Sequence, residues 1–203
     1  AIGYEALLRL DNGEKILTPY YFLNEIEKLD IMYNITLWAI DKSLCDYNKL
    51  KLINNTVNRL GLTNVEVENF DASILDENSI NKFDYVLADV PCSGLGIIRR
   101  KPEIKYKSKA EIKDLPVLQR KILENASKYV KVGGNLLYST CTILDSENIE
   151  VINNFLKEND NFELVPIDEV NVDLDNQEKG YLKIYPNIHG MDGFFIAKLK
   201  RVR

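Results

Sequence analysis

Two cysteines and an aspartate stand where open sheets place their chemistry, at the ends of apolar runs. Phe83–Asp89 is an apolar run that closes on an acid, and Pro91-Cys92-Ser93-Gly94 follows directly. Asn135–Ser139 is a second such run, followed by Thr140-Cys141-Thr142. The plain reading of a free cysteine is a small buried hydrophobe. The chemical reading is a nucleophile, because the thiolate is reactive near neutral pH once its surroundings favour it. Ligands of a parallel sheet bind at the carboxyl ends of its strands. Asp89, Cys92 and Cys141 would share that edge, which favours the chemical reading.

The elements that must hold them follow from the pattern. Leu50, Ile53, Val57 and Leu60 recur at helical spacing, and Gly61 stands where a helix-ending glycine belongs. A short strand is expected at Val65–Glu68. Leu115–Val130 reads as a helix with Leu118, Ile122 and Ala126 inward, stopped by Gly133-Gly134. Asp145 or Ser146 is positioned to cap a helix with Ile149, Ile152, Phe155 and Leu156 on its inner face. Short strands at Phe162–Val165 and Phe194–Leu199 close the chain. From Asn48 to Leu156 strand and helix alternate, the pattern of a parallel sheet with helices on both faces. Ahead of this, Gly3–Leu10 and Glu14–Leu17 flank Asp11-Asn12-Gly13, a hairpin signal. Thr18-Pro19 opens a helix carrying Phe22, Leu23, Ile26 and Leu29, and a second helix is expected at Ile35–Cys45.

Composition bounds the function. The chain has 203 residues and a formal net charge of −5, so its overall field does not announce a nucleic-acid partner. Basic residues nevertheless cluster from Arg99 to Lys121, behind Arg99-Arg100-Lys101. That cluster reads either as a solvated face or as a phosphate-contacting surface. Three cysteines, Cys45 among them, without a paired CxxC, and a single histidine, His189, exclude a disulfide framework and a zinc site. His189 has no acid or nucleophile beside it and reads as loop packing. No apolar run reaches membrane length and the start carries no signal-peptide pattern, so a soluble, cytoplasmic protein without membrane or metal partners is expected. Oligomeric state is not legible.

Several separated motifs agree in order with one family. Asp89–Gly94, Ile98-Arg99-Arg100-Lys101-Pro102, Tyr138–Thr142, Glu147-Asn148 and Asp192-Gly193-Phe194-Phe195 resemble the Sun/RsmB-type ribosomal RNA cytosine-5 methyltransferases over about residues 46–203. The resemblance implies an α/β, Rossmann-like sheet that takes S-adenosylmethionine as cofactor and ribosomal RNA as partner. It makes Cys141 the thiolate that adds to C6 of cytosine, Cys92 the thiol that assists the later elimination, and Asp89 a group near N3 of the base and near the cofactor. It places Asp71 and Pro91 at the cofactor as well; a loop aspartate or helix cap is the plain alternative for Asp71. Arg99, Arg100 and Lys105 become candidates for RNA phosphates, and Asp192-Gly193 a structural turn.

The resemblance breaks in front. This family opens its catalytic domain with a strand and an Asp-x-Cys-Ala-Ala-Pro-Gly-Gly-Lys loop, and no such loop occurs here. Spacing back from Gly61 puts the family's ribose-binding acid at Leu44, with Asp41 and Asp46 out of register. Residues 1–45 instead resemble the opening of an EAL cyclic di-GMP phosphodiesterase domain, through Gly3–Leu10, Pro19, Phe22 and the Ile35–Asp41 stretch, with Glu5 matching a metal ligand. One glutamate cannot build a two-metal site, so a fragment rather than a phosphodiesterase is expected. The chain thus divides at about residue 46 into an EAL-like fragment and a methyltransferase domain lacking its first strand and glycine-rich loop, for which weak cofactor affinity is expected. Two functions remain in view: cytosine-5 methyl transfer to ribosomal RNA, and an inactive RNA-binding remnant of such an enzyme.

Overall fold

A computed structural model describes residues 10–11, 16–17, 47–167 and 176–203. Helices expected from Thr18 to Cys45, and Glu5, Asp41, Cys45 and Asp46, lie outside the described residues. At the front, β1 (Leu10–Asp11) pairs antiparallel with β2 (Ile16–Leu17), Leu10 opposite Leu17, as the Asp11-Asn12-Gly13 signal predicts.

The first described helix, α1 (Tyr47–Arg59), ends as its sequence predicts. Gly61 takes φ +67°, and the amides of Gly61 and Leu62 donate to the carbonyls of Asn58 and Val57 at 3.1 Å each. That double bond is the Schellman arrangement, which a left-handed glycine makes cheap. Val65–Glu68 makes no strand pairing among the described residues, contrary to expectation.

The sheet that carries the cysteines is built on β3 (Phe83–Asp89) and β4 (Val130–Thr140), which run parallel. Between them the chain crosses over through α2 (Lys109–Lys113) and α3 (Leu115–Tyr129). Then α4 (Ile149–Glu158), β5 (Phe162–Leu164), β6 (Tyr181–Ile184), α5 (Pro186–His189) and β7 (Phe194–Arg201) complete the order. The strand order is β3-β4-β7-β5, with β6 also on β7; the pairings of β7 are all antiparallel. The parallel rule therefore holds for the crossover pair alone. A parallel return needs a crossover of a dozen or more residues, and the short connection from β6 to β7 permits only an antiparallel neighbour. No described helix is long and apolar enough to cross a membrane.

Two boundaries differ from the sequence reading. The helix ends at Tyr129, and Gly133-Gly134 lies inside β4 instead of stopping α3. Phe83 pairs with Val130 but Tyr85 pairs with Asn135, so the glycines absorb a register shift. Gly133 takes φ +85°, and a Cβ on Gly134 would sit 2.7 Å from the Asp84 carbonyl oxygen. Glycine punctuates strands as readily as helices, and here it makes the bulge. Ahead of α4, Asp145–Glu147 forms a 3₁₀ turn, and the Asp145 carboxylate pairs with Lys183 at 2.7 Å instead of capping the helix.

One core joins these layers. Ile122, Leu123, Ala126 and Tyr129 of α3 pack with Val86 and Ala88 of β3, Leu136 and Tyr138 of β4, and Ile152 and Phe155 of α4. The Phe155 and Phe162 rings meet edge to face at 5.5 Å, and Phe155 has no exposed surface. Phe155→Ala is expected to cost about 3–5 kcal/mol, the range for emptying a closed aromatic site. A shift in the midpoint of chemical denaturation checks it.

Candidate active site

The positions of the two thiols follow from strand register. Asp89 and Ser139 are partners across β3 and β4, so both strands finish at the same level. The Ser139 hydroxyl donates to Asp89 Oδ1 at 2.7 Å and fixes that carboxylate at the sheet edge. Cys141 follows β4 directly, and Cys92 follows β3 after Val90 and Pro91. Their sulfurs stand 3.3 Å apart, within sulfur hydrogen-bond distance.

The loop that carries Cys92 is threaded tightly under Cys141. The Gly96 amide donates to the Cys141 carbonyl at 2.9 Å, and the Gly193 amide donates to the Gly96 carbonyl at 2.8 Å. A Cβ on Gly96 would lie 2.0 Å from the Gly193 oxygen and 2.8 Å from the Cys141 oxygen. Only glycine allows this approach. The Asp192-Gly193 turn is therefore structural, and it also receives the guanidinium groups of Arg99 and Arg100, Arg99 at 3.7 Å.

Electrostatics separates the sulfurs. The hydrogen bond from the Cys92 thiol to Cys141 favours the Cys141 thiolate and lowers its pKa against the cost of burial. The same bond, with burial, raises Cys92 and keeps it protonated. Nearby Lys107 also lowers Cys141, while the Asp89 charge opposes it. Lys107 is held there because its ammonium donates to the Ser93 carbonyl at 2.8 Å. The pair is thus unequal: its surroundings favour the thiolate at Cys141 and the thiol at Cys92.

Behind the sulfurs lies a buried polar network. Glu147 has no exposed surface, yet its carboxylate accepts from the Ser93 amide and from Gln119 Nε2, both at 2.8 Å. Gln119 also donates to the Pro91 carbonyl at 2.9 Å. Asn148 accepts from the Thr140 hydroxyl at 2.6 Å and donates to the Thr142 carbonyl at 3.0 Å.

The structure thus gathers Asp89, Pro91, Cys92 and Cys141. Asp71 makes contacts of a different kind: its Oδ1 accepts from the amide and hydroxyl of Ser73 at 2.9 and 2.7 Å, the self-capping turn of a loop aspartate. Asn125 pins that loop to α3 through the Ala72 carbonyl at 2.9 Å. Arg99 and Arg100 are about half exposed while bound to Asp192. Lys105 is exposed, its ammonium 4.8 Å from the Tyr106 ring centre. His189 packs on Tyr185, accepting from its amide at 2.9 Å. Among the described residues no group of His, Cys, Asp and Glu is arranged to hold a metal ion.

Sequence reasoning missed Gln119 and Lys107. Gln119 interrupts the inward stripe that continues through Ile122, Leu123 and Ala126, and a polar residue on an apolar stripe is the signal that could have found it. Lys107 was hidden inside the basic cluster.

A family model described as 16S rRNA methyltransferase RsmB/F matches residues 26–200. The chain belongs to the RsmB/F family. That match begins ahead of residue 46. The probable ribosomal RNA small subunit methyltransferase B of Bacillus subtilis (strain 168) is 40% identical over 163 residues, 76% of this chain and 36% of that protein. The ribosomal RNA small subunit methyltransferase F of Salmonella agona (strain SL483) is 34% identical over 160 residues, 76% of this chain and 33% of that protein. The RsmB/F chain described here thus spans about a third of the length of these relatives. Among solved structures, NSun6 from Pyrococcus horikoshii with SFG gives a TM-score of 0.71 at 30% identity, covering 90% of this chain and 45% of that one. A methyltransferase homolog from the same organism gives 0.62 at 32% identity, covering 77% and 51%. The Rossmann-like methyltransferase fold inferred for this RsmB/F member from its motifs is thereby established.

Proposed function

We propose that this domain transfers a methyl group from S-adenosylmethionine to C5 of a cytosine in ribosomal RNA, through a covalent bond between Cys141 and C6 of the base. The observation that carries this reading is the 3.3 Å approach of Cys92 and Cys141 at the ends of paired parallel strands. C5 of cytosine is a poor nucleophile, and addition of the Cys141 thiolate at C6 makes it enamine-like. The electrostatic asymmetry of the pair supports Cys141 as the attacking sulfur and Cys92 as the group that assists elimination. Asp89, held by Ser139, would face N3 of the ring and stabilise the adduct.

The donor set fits the cofactor's reacting end. Asp89 offers a fixed carboxylate at the sheet edge, and the Pro91 backbone is locked beside it by Gln119. Asp71 is the residue that would reach toward the adenine, as it does by family resemblance. Bound there, the cofactor supplies the methyl group. A relative solved with SFG, an analogue of that cofactor, supports the choice. The target base must leave its stack to reach Cys141. Arg99, Arg100 and Lys105 would meet its flanking phosphates. The boundary at about residue 46, and the EAL-like character of what precedes it, belong to the same reading.

The test is incubation of the chain with a ribosomal RNA fragment and S-adenosylmethionine in large excess, followed by nucleoside analysis. 5-Methylcytidine is the expected product. RNA binding that survives without any methylated nucleoside would support the binding-remnant reading instead.

A further inference from the structure

The hydrogen bonds behind the sulfurs form a closed figure. The Ser93 amide donates to one oxygen of Glu147 at 2.8 Å. The Ser93 and Thr142 hydroxyls share a bond of 2.7 Å, and the Thr142 hydroxyl reaches the other Glu147 oxygen at 3.4 Å. Ser93 directly follows Cys92, and Thr142 directly follows Cys141. Ser93, Thr142, Glu147 and Gln119 each have no exposed surface. A buried carboxylate is costly unless donors satisfy it, and here Ser93, Gln119 and Thr142 do so.

We infer that Glu147 is a positioning residue whose carboxylate ties together the residues after the two cysteines and thereby sets the separation of their sulfurs. The proposal rests on the thiol pair being the reacting centre, and it adds the element that holds the pair. Besides Glu147, the two loops are joined by the sulfurs, by the bond between the Ser93 and Thr142 hydroxyls, and by the Gly96 amide on the Cys141 carbonyl; the Glu147 carboxylate holds both ends of that hydroxyl pair. The hydrogen bond that favours the Cys141 thiolate is distance-dependent, so loosening the tie weakens it. The ionisable groups around Cys141 are Cys92, Asp89 and Lys107, with Tyr138 and Glu147 behind; Lys107 is itself anchored on Ser93. Loss of the tie therefore acts on the thiolate twice, through Cys92 and through the lysine.

The test needs neither RNA nor cofactor, so its failure is separable from failure of the methyltransferase reading. Glu147→Gln keeps the size of the side chain and one oxygen that can still accept from Ser93 and Gln119, but it removes the charge and turns an amide NH₂ toward the Thr142 hydroxyl, which loses its acceptor there. The rate of Cys141 alkylation by iodoacetamide is followed against pH by mass spectrometry, and closure of the Cys92–Cys141 disulfide by diamide is timed. Diamide takes up two electrons and two protons as the two thiols join. The expected result is a Cys141 reactivity midpoint raised by about one pH unit and disulfide closure slowed by about tenfold. Phe162→Leu, a core truncation, serves as the control: it lowers the melting temperature and leaves both thiol readings unchanged. Should Glu147→Gln fail to fold, Thr142→Val removes only the hydroxyl link, with smaller shifts in the same direction. Parent-like thiol readings in the folded variant, or equal shifts in Phe162→Leu, overturn the inference.

Discussion

Cys141→Ser is expected to lower methyl transfer by at least about 10⁴-fold while leaving the fold and RNA binding close to those of the parent. The substitution changes one atom at a half-buried position directly after β4. A serine hydroxyl keeps the volume and the hydrogen-bond capacity, so the sheet has no reason to shift. It does not ionise near neutral pH, and the Cys92 thiol and Lys107 that favour a thiolate cannot make it an alkoxide. Without addition at C6, C5 of cytosine stays unreactive whatever methyl donor is present. The measurement is single-turnover methylation beside a circular-dichroism melt. A serine variant within tenfold of the parent would mean that sulfur attack is not the route.

Cys92→Ala is expected to do the opposite to the covalent state: the protein–RNA adduct accumulates and turnover stops after one round. The Cys92 thiol is held protonated by its bond to Cys141 and by burial, and stands 3.3 Å from the sulfur that carries the base. Once Cys141 is bonded to C6 it carries no charge, the interaction that holds the Cys92 proton is lost, and Cys92 can ionise to the thiolate that takes the C5 proton as the Cys141 sulfur leaves. Alanine removes that group and leaves addition possible. Denaturing electrophoresis of the variant with RNA and cofactor should show a band of combined mass that the parent shows only faintly. The fold should tolerate the change, because the loop is held by Ser93, Gly96 and Gln119 rather than by the thiol. Turnover in the alanine variant at the parent's rate would remove Cys92 from the chemistry.

The shared position of Asp89, Cys92 and Cys141 was legible in the sequence because strand ends were. An apolar run closing on Asp89, and another closing ahead of Cys141, place three reactive groups on one edge without any knowledge of the tertiary structure. Register then did the rest, since Asp89 opposite Ser139 leaves both loops starting at one level. The helix-ending Gly61 was equally legible, because few other residues tolerate that backbone angle. Gly133-Gly134 misled for a related reason: glycine marks a break in a helix and a bulge in a strand with the same letters. The antiparallel return of β7 was hidden, because an apolar run carries no direction. Glu147 was least legible of all. It was noticed only as part of a family motif, and an acid in a short turn reads as solvated until its donors are seen around it. Arg99 and Arg100 were read as candidates for phosphate contacts, and their shared anchor on Asp192 shows that they brace the turn under Cys141.

The most direct test of the central claim is exchange of the C5 hydrogen of cytosine. If the Cys141 thiolate adds at C6, the resulting enamine takes up a proton from solvent at C5, and reversal returns cytosine with its C5 hydrogen replaced. A ribosomal RNA fragment deuterated at C5 is incubated with the chain in ordinary water, with and without S-adenosylmethionine, and its nucleosides are weighed. Loss of deuterium that depends on the chain and disappears in Cys141→Ser is the predicted result. Deuterium retained with the parent chain under both conditions, or lost equally with Cys141→Ser, would contradict the account.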